Sequence, residues 1–186
     1  MAQTINGLRV AALAMDGVEQ VELTKPVAAL REAGTTVTVV SLKAGQIQGM
    51  NHEKPGDKLL VDAALADVKP DQFDALLLPG GVANPDTLRA DARAVAFVKH
   101  FAQAGKPIGA ICHGPWTLIE AEAVRGHTMT SWPSLKTDLT NAGAKWVDQE
   151  CVVDGTLVTS RNPGDIPAFN RKLVEVFAGG KARQAA

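Results

Sequence analysis

Cys112, His113 and Gly114 are consecutive, which puts a nucleophile, a base and a sharp bend within three residues. They lie in the run Gly109-Ala110-Ile111-Cys112-His113-Gly114-Pro115, where a short apolar strand passes directly into a helix. A residue at such a junction occupies a cramped turn, a nucleophile elbow, and needs the small neighbours that Gly109, Ala110 and Gly114 provide. The free N–H groups and partial positive charge of a helix start favour thiolate over thiol. A second loop, Leu78-Pro79-Gly80-Gly81, also follows an apolar run. Its paired glycines let the backbone approach a ligand, and an N–H from Gly80 or Gly81 would join that of His113 in holding an oxyanion. The same Pro-Gly-Gly also reads as a plain tight turn. Cys151, among Val152 and Val153 with no glycine turn and no adjacent histidine, reads as a small buried hydrophobe.

The elements that must position these loops alternate between strand and helix. Leu8 to Met15 is a nearly unbroken apolar run, the mark of a strand buried on both faces. Glu19 to Ala33 reads as a helix stopped by Gly34, and Thr36 to Leu42 as a second strand. Gly45 to Asp62 reads as a hairpin excursion, and Asp74 to Leu78 as a third core strand. A helix over Asp91–Ala104 then precedes the strand Ile108–Ile111 that delivers Cys112. Helices are expected over Pro115–Ala123, Ser134–Asn141 and Ile166–Phe177, with a hairpin turn at Asp154-Gly155. Alternation of this kind builds right-handed βαβ units and a mostly parallel sheet covered on both faces. The expectation is one three-layer α/β domain over 1–186, with a core from 8 to 178 and a frayed tail over 179–186. Both glycine-rich loops follow strands, where open α/β sheets place their ligands.

These motifs resemble the PfpI intracellular protease family, within the ThiJ/PfpI superfamily that also holds Parkinson-associated deglycases and chaperones. The resemblance is carried by Ala110-Ile111-Cys112-His113-Gly114-Pro115, by Leu-Pro-Gly-Gly at 78–81 and by Glu19 near the first helix. It extends through Val124-Arg125-Gly126, Thr130-Ser131-Trp132-Pro133, Asn141-Ala142-Gly143 and Val158-Thr159-Ser160-Arg161. It implies a flavodoxin-like α/β/α sandwich with Cys112 as nucleophile and His113 as its neighbouring general base. Glu19 matches the acid that approaches the sulfur: protonated it would donate to the thiolate, ionised it would raise the thiol pKa. On its residues alone, Glu19 equally reads as a solvated first-turn carboxylate. Asp86 matches the acid that orients the histidine across a subunit interface, where many relatives carry Glu; it equally reads as the cap of a turn over Thr87–Arg89. Trp132 stands near the pocket where several relatives have a tyrosine. The resemblance therefore also implies a homodimer or larger homo-oligomer.

Composition narrows the remaining choices. The chain has 186 residues and a formal net charge of −1, which argues against broad capture of nucleic acid or an anionic membrane. No stretch approaches the ~20 apolar residues of a bilayer span, and the first residues lack a secretory pattern, so a cytoplasmic location is expected. Two cysteines in reducing cytosol read as separate thiols. No His, Cys and Asp spacing points to a metal, and no cofactor is implied. The four histidines are His52, His100, His113 and His127, so no downstream His-x-Glu is available for an amidotransferase triad; His52 and His100 are expected on the surface. Two functions follow. One is a cysteine-dependent hydrolase acting on aldehyde-glycated proteins or nucleotides, or on peptides. The other is a non-catalytic stress protein, a redox-sensing thiol or holdase, since a reactive thiol beside a carboxylate can also be oxidised to a stabilised sulfinic acid.

Overall fold

The computed structural model describes residues 5–184, and the side chains as far as residue 180. In chain order the elements are β1 (Arg9–Leu13), β2 (Val18–Glu19), α1 (Gln20–Glu32), β3 (Thr36–Ser41), β4 (Gly45–Asn51), β5 (Lys54–Val61) and β6 (Ala63–Ala64). They continue with β7 (Ala75–Leu78), α2 (Ala83–Ala90), α3 (Ala92–Gln103), β8 (Ile108–Ile111), α4 (Pro115–Glu120), β9 (Thr128–Met129) and α5 (Lys136–Asn141). The last are β10 (Lys145–Trp146), β11 (Cys151–Asp154), β12 (Leu157–Ser160) and α6 (Ile166–Gln184).

Seven strands form the central sheet in the order β11-β12-β8-β7-β1-β3-β6. Every pairing in it is parallel except that of β11 with β12, the hairpin expected at Asp154-Gly155. The two-residue period of β1 divides its side chains between two cores. Ala11 and Leu13 pack with Leu76, Leu78, Phe97 and Phe101 on the α3 side, whereas Val10 and Ala12 pack with Leu30, Leu77 and Phe169 on the α1 and α6 side. This is the three-layer α/β/α sandwich, and it explains why β1 is apolar on both faces.

Some boundaries depart from expectation. The segment around Asp86, expected as a turn, is the helix α2, and Asp86 lies in its first turn. Helix α4 stops at Glu120 because Glu122 adopts a left-handed backbone, φ +57°. A single 3₁₀ turn over Pro133–Leu135 replaces the start of the helix expected from Ser134. The expected tail is helical instead: α6 runs to Gln184, with Gly180 so close to Pro107 that a Cβ would strike its ring. Residues 185 and 186 of that tail lie outside the described residues.

Helix α3 starts from a side-chain cap. Asp91 accepts N–H bonds from Arg93 and Ala94, and the Arg93 guanidinium beside it holds its carboxyl down to about 2. Asp91→Ala should cost about 1 kcal/mol, read as a lower urea midpoint at pH 7. With the folded value below the ordinary 3.8, the carboxylate's contribution is complete above 3.8 and is lost as pH falls through about 2. The difference between the two proteins should shrink over that window.

The chain leaves β1 for β3 on one side and reaches β8 from β7 on the other, so the switch point of the sheet lies between β1 and β7. The loops after β1, β7 and β8 meet there. A small outlying sheet, β2-β4-β5, lies beside the same edge, so the 45–61 excursion is a true hairpin whose tip is His52-Glu53.

Candidate active site

Cys112 follows β8 directly with φ +62°, a left-handed conformation that is strained for a side chain bearing a Cβ. Backbone bonds hold it there: its N–H donates to the Ser160 carbonyl at 3.0 Å, and the Trp132 N–H donates to its own carbonyl at 2.9 Å. Gly114 is required next to it, since a Cβ would come within 2.6 Å of the Leu78 carbonyl oxygen. Gly81 is required opposite, at φ +80°, where a Cβ would lie 2.7 Å from the Glu19 nitrogen and strike the Gly17 carbonyl. The loops after β1, β7 and β8 are thus in backbone contact around the sulfur.

The His113 ring lies against the sulfur, with Nδ1 3.2 Å from Sγ. Trp132 stacks on it at a centroid distance of 5.6 Å, and Trp116 packs at 5.1 Å on a tilt. Nε2 faces the Ser134 hydroxyl at 3.5 Å. Burial holds the imidazole below its ordinary pKa, so it is a neutral ring, able to accept a proton.

The carboxyl group that meets Cys112 is Glu22, not Glu19. Glu22 is fully buried, its Oε2 accepts the Gly80 N–H at 3.0 Å, and it interacts directly with the thiol. Glu19 ends β2 with an extended backbone and borders the same cavity, but its Oε2 is engaged by the hairpin, accepting the His52 N–H at 2.9 Å. The difference is geometric: Glu19 belongs to a strand paired with β4, while Glu22, one turn into α1, projects back toward the sheet edge. A sequence signal existed, because Glu22 shares the helix face of Pro26 and Leu30, four and eight residues on, and that face is buried. Gly80 is also corrected as an oxyanion donor, since Glu22 takes its N–H. The amides of Gly81 and His113 are the ones that point to the sulfur.

Burial, then the charge of Glu19, raises Glu22 to about 8. Burial, then the Glu22 charge, pushes the Cys112 thiol up, while the Gly81 and His113 amides pull it down. Burial thus outweighs the two amides at the helix start. The Glu22 charge is absent while that carboxyl keeps its proton, and a neutral carboxyl becomes a donor to the sulfur. The two groups titrate as a pair.

Glu22, Cys112, His113 and Trp132 border an open cavity of about 330 Å³. His52 and Glu53 from the hairpin tip also border it, so His52 is exposed yet at the site; no local feature of the sequence marks that proximity. Asp86 is exposed on α2 and does not border the cavity. Asn84, which the sequence reading passed over, is fully buried; its Nδ2 donates to the Pro79 and Gly80 carbonyls and its Oδ1 accepts the Met15 N–H at 2.7 Å. Asn84 thereby ties the loop after β7 to the loop after β1. Cys151 is half-buried among β11 and α6, away from this cavity. Among the described residues, no group of three or more His, Cys, Asp or Glu is placed to hold a metal, and no helix is long and apolar enough to cross a membrane.

A cysteine elbow at the switch point of a parallel, helix-covered sheet defines a cysteine-centred flavodoxin-like protein. The chain belongs to the DJ-1/PfpI family, whose profile matches residues 8–176. It is 47% identical over 170 residues to a deglycase of Pyrococcus abyssi, spanning 91% of this chain and 99% of that one. It is 44% identical over 171 residues to protein/nucleic acid deglycase 2 of Escherichia coli, spanning 91% and 97%. The crystal structure of Drosophila melanogaster DJ-1beta superposes with a TM-score of 0.85 at 31% identity, over 93% of this chain and 91% of that one.

Proposed function

We propose that this protein is a stress-related cysteine hydrolase that removes aldehyde adducts, a deglycase rather than a peptidase. The observation that carries the reading is the Cys112 sulfur, held on a left-handed turn within 3.2 Å of a neutral His113 at the floor of a small cavity. Support comes from the two relatives above, both named as deglycases. A cavity of about 330 Å³ matches a three-carbon aldehyde adduct better than an extended peptide.

In the mechanism, the Cys112 thiolate attacks the carbinol carbon of the adduct, the carrier amine or thiol leaves with a proton relayed by His113, and the three-carbon unit stays on the sulfur as a hemithioacetal. The proton on the sulfur-bearing carbon then moves to the neighbouring keto carbon through an enediolate, whose negative charge the Gly81 and His113 N–H groups hold, so that one carbon is oxidised to a thioester as the other is reduced to an alcohol. Glu22 donates to the sulfur before attack and exchanges a proton during that shift. Water that gives a proton to His113 Nδ1 then hydrolyses the thioester, releasing the acid and the Cys112 thiol. Trp132 packs His113 into this orientation.

Asp86 has a place only in an assembly. It stands on the exposed face of α2, where Val82 is also exposed (58 %) at the cavity rim, and a second copy seated there would cover Val82 and bring Asp86 to its neighbour's site. The active form is accordingly a homo-oligomer. The two free thiols fit the reducing cytoplasm.

The deciding experiment compares a methylglyoxal-treated peptide with the same peptide untreated. Release of unmodified peptide together with lactate, and no chain cleavage, is the expected result. Cleavage of the untreated peptide with no action on the adduct would assign a peptidase instead.

A further inference from the structure

The loop that faces Cys112 carries two glycines in a row, and a peptide between glycines turns over easily because no Cβ restrains its dihedrals. Its peptide planes must nevertheless face one way for the site to work. A planar trans peptide points its C=O and N–H in opposite directions, so a grip on the carbonyl aims the amide. Reversal of the Gly80–Gly81 peptide would present a carbonyl to the sulfur in place of a donor. That carbonyl would repel the thiolate and any oxyanion formed beside it.

The grip comes from Asn84, in the first turn of α2. Its Nδ2 donates one hydrogen to the Pro79 carbonyl and one to the Gly80 carbonyl, each at 3.0 Å. The Pro79–Gly80 peptide is therefore held at both ends, its carbonyl on Asn84 and its N–H on Glu22 Oε2 at 3.0 Å. The next peptide has its carbonyl on Asn84, with a longer bond from the Glu19 N–H at 3.3 Å, and its Gly81 N–H directed at Cys112. At the other end of the side chain, Oδ1 accepts the Met15 N–H at 2.7 Å, which anchors Asn84 to the loop after β1. A carboxamide meets one donor and two acceptors with a single planar group, and these neighbours fix which end is nitrogen and which is oxygen. Asn84 is fully buried and is not among the residues that border the cavity. It can act on the chemistry only through the loop it holds.

We propose that Asn84 is the positioning residue of the oxyanion site. One buried side-chain amide locks both peptides of the glycine loop with their N–H groups inward, that of Gly80 on Glu22 and that of Gly81 on the sulfur. For turnover, the inference rests on the proposed role of Cys112 as the nucleophile.

The test reads the charge state of Cys112 directly, without turnover. The chain has no tyrosine, so no phenolate overlaps the ultraviolet band of a thiolate. In a Cys151→Ser, Glu22→Gln background, Cys112 is the one remaining thiol and the carboxyl beside it no longer titrates. Asn84→Ala should raise the thiolate midpoint by about one pH unit, because the Gly81 N–H is no longer held on the sulfur. Asn84→Ser keeps one donor and should raise it by less, and it serves if the alanine variant does not fold. Leu88→Ala removes a buried side chain of the same helix that packs into the α3-side core. It should lower the melting temperature and leave the midpoint in place. An unmoved midpoint in the Asn84 variants overturns the inference, and so does an equal shift in Leu88→Ala.

With Glu22 intact, Asn84→Ala should lower kcat about a hundredfold and change KM less than about threefold, since no substrate contact is lost. A raised midpoint in a protein whose parent turns over no aldehyde adduct would leave the positioning role standing and remove the hydrolase. An unmoved midpoint beside full turnover by the parent would do the reverse.

Discussion

Cys112→Ala should cut turnover of an aldehyde adduct at least about a thousandfold and leave the fold intact. Every step proposed for this site passes through the sulfur, and Cys151, half-buried on the far side of β12, cannot replace it. The fold survives because the elbow does not depend on the sulfur atom. The Cys112 backbone is fixed by its bonds to Ser160 and Trp132, and alanine at φ +62° meets the same strain as cysteine. Loss of one buried sulfur leaves a cavity smaller than a methylene chain, so the melting temperature should fall by only a few degrees. Steady-state release of lactate and thermal unfolding measured on the same sample check both halves. Retention of a tenth of the activity would end the nucleophile assignment.

Glu22→Gln should lower turnover about a hundredfold and still permit alkylation of Cys112 by iodoacetamide. The amide oxygen can accept the Gly80 N–H as the carboxyl does, and the amide nitrogen can donate to the sulfur, but an amide exchanges no proton. The pH dependence separates the two proteins further. In the wild type, Glu22 ionises near 8 and sets a negative charge beside the sulfur, which opposes thiolate formation above that pH. Alkylation should therefore rise more shallowly with pH above 8 in the wild type than in Glu22→Gln. Glu19→Gln is the companion variant. Its amide oxygen can still accept the His52 N–H, so a loss under about tenfold is expected, with the Glu22 inflection moved to lower pH once the Glu19 charge is gone. A larger loss at Glu19 than at Glu22 would reverse the assignment of the two carboxyls.

Much of this was legible in the residues. The apolar runs at 10–13, 75–78 and 108–111 are parallel core strands because both faces of each are covered, and burial on both faces leaves no polar alternation. The elbow was legible because a sharp strand-to-helix turn demands small residues at specific positions, and Gly109, Ala110 and Gly114 stand there. Helix α2 was not, because a short segment beginning Ala83-Asn84-Pro85-Asp86 carries turn-forming residues, and it is helical through burial of Asn84, Pro85 and Leu88.

The sequence by itself determined the strand-to-helix elbow at Cys112, the histidine beside it and the glycines around them, because that turn is set by neighbours a few residues away. Only the tertiary structure decided which carboxyl serves the sulfur and what walls the cavity. Glu19 and Glu22 are three residues apart, yet β2 pairing sends one to the hairpin and helical geometry sends the other to Cys112. Glu53 reaches the site only because β4 pairs with β2. Cys112 therefore has a buried carboxyl beside it as well as a helix start behind it, and that carboxyl is a long-range neighbour.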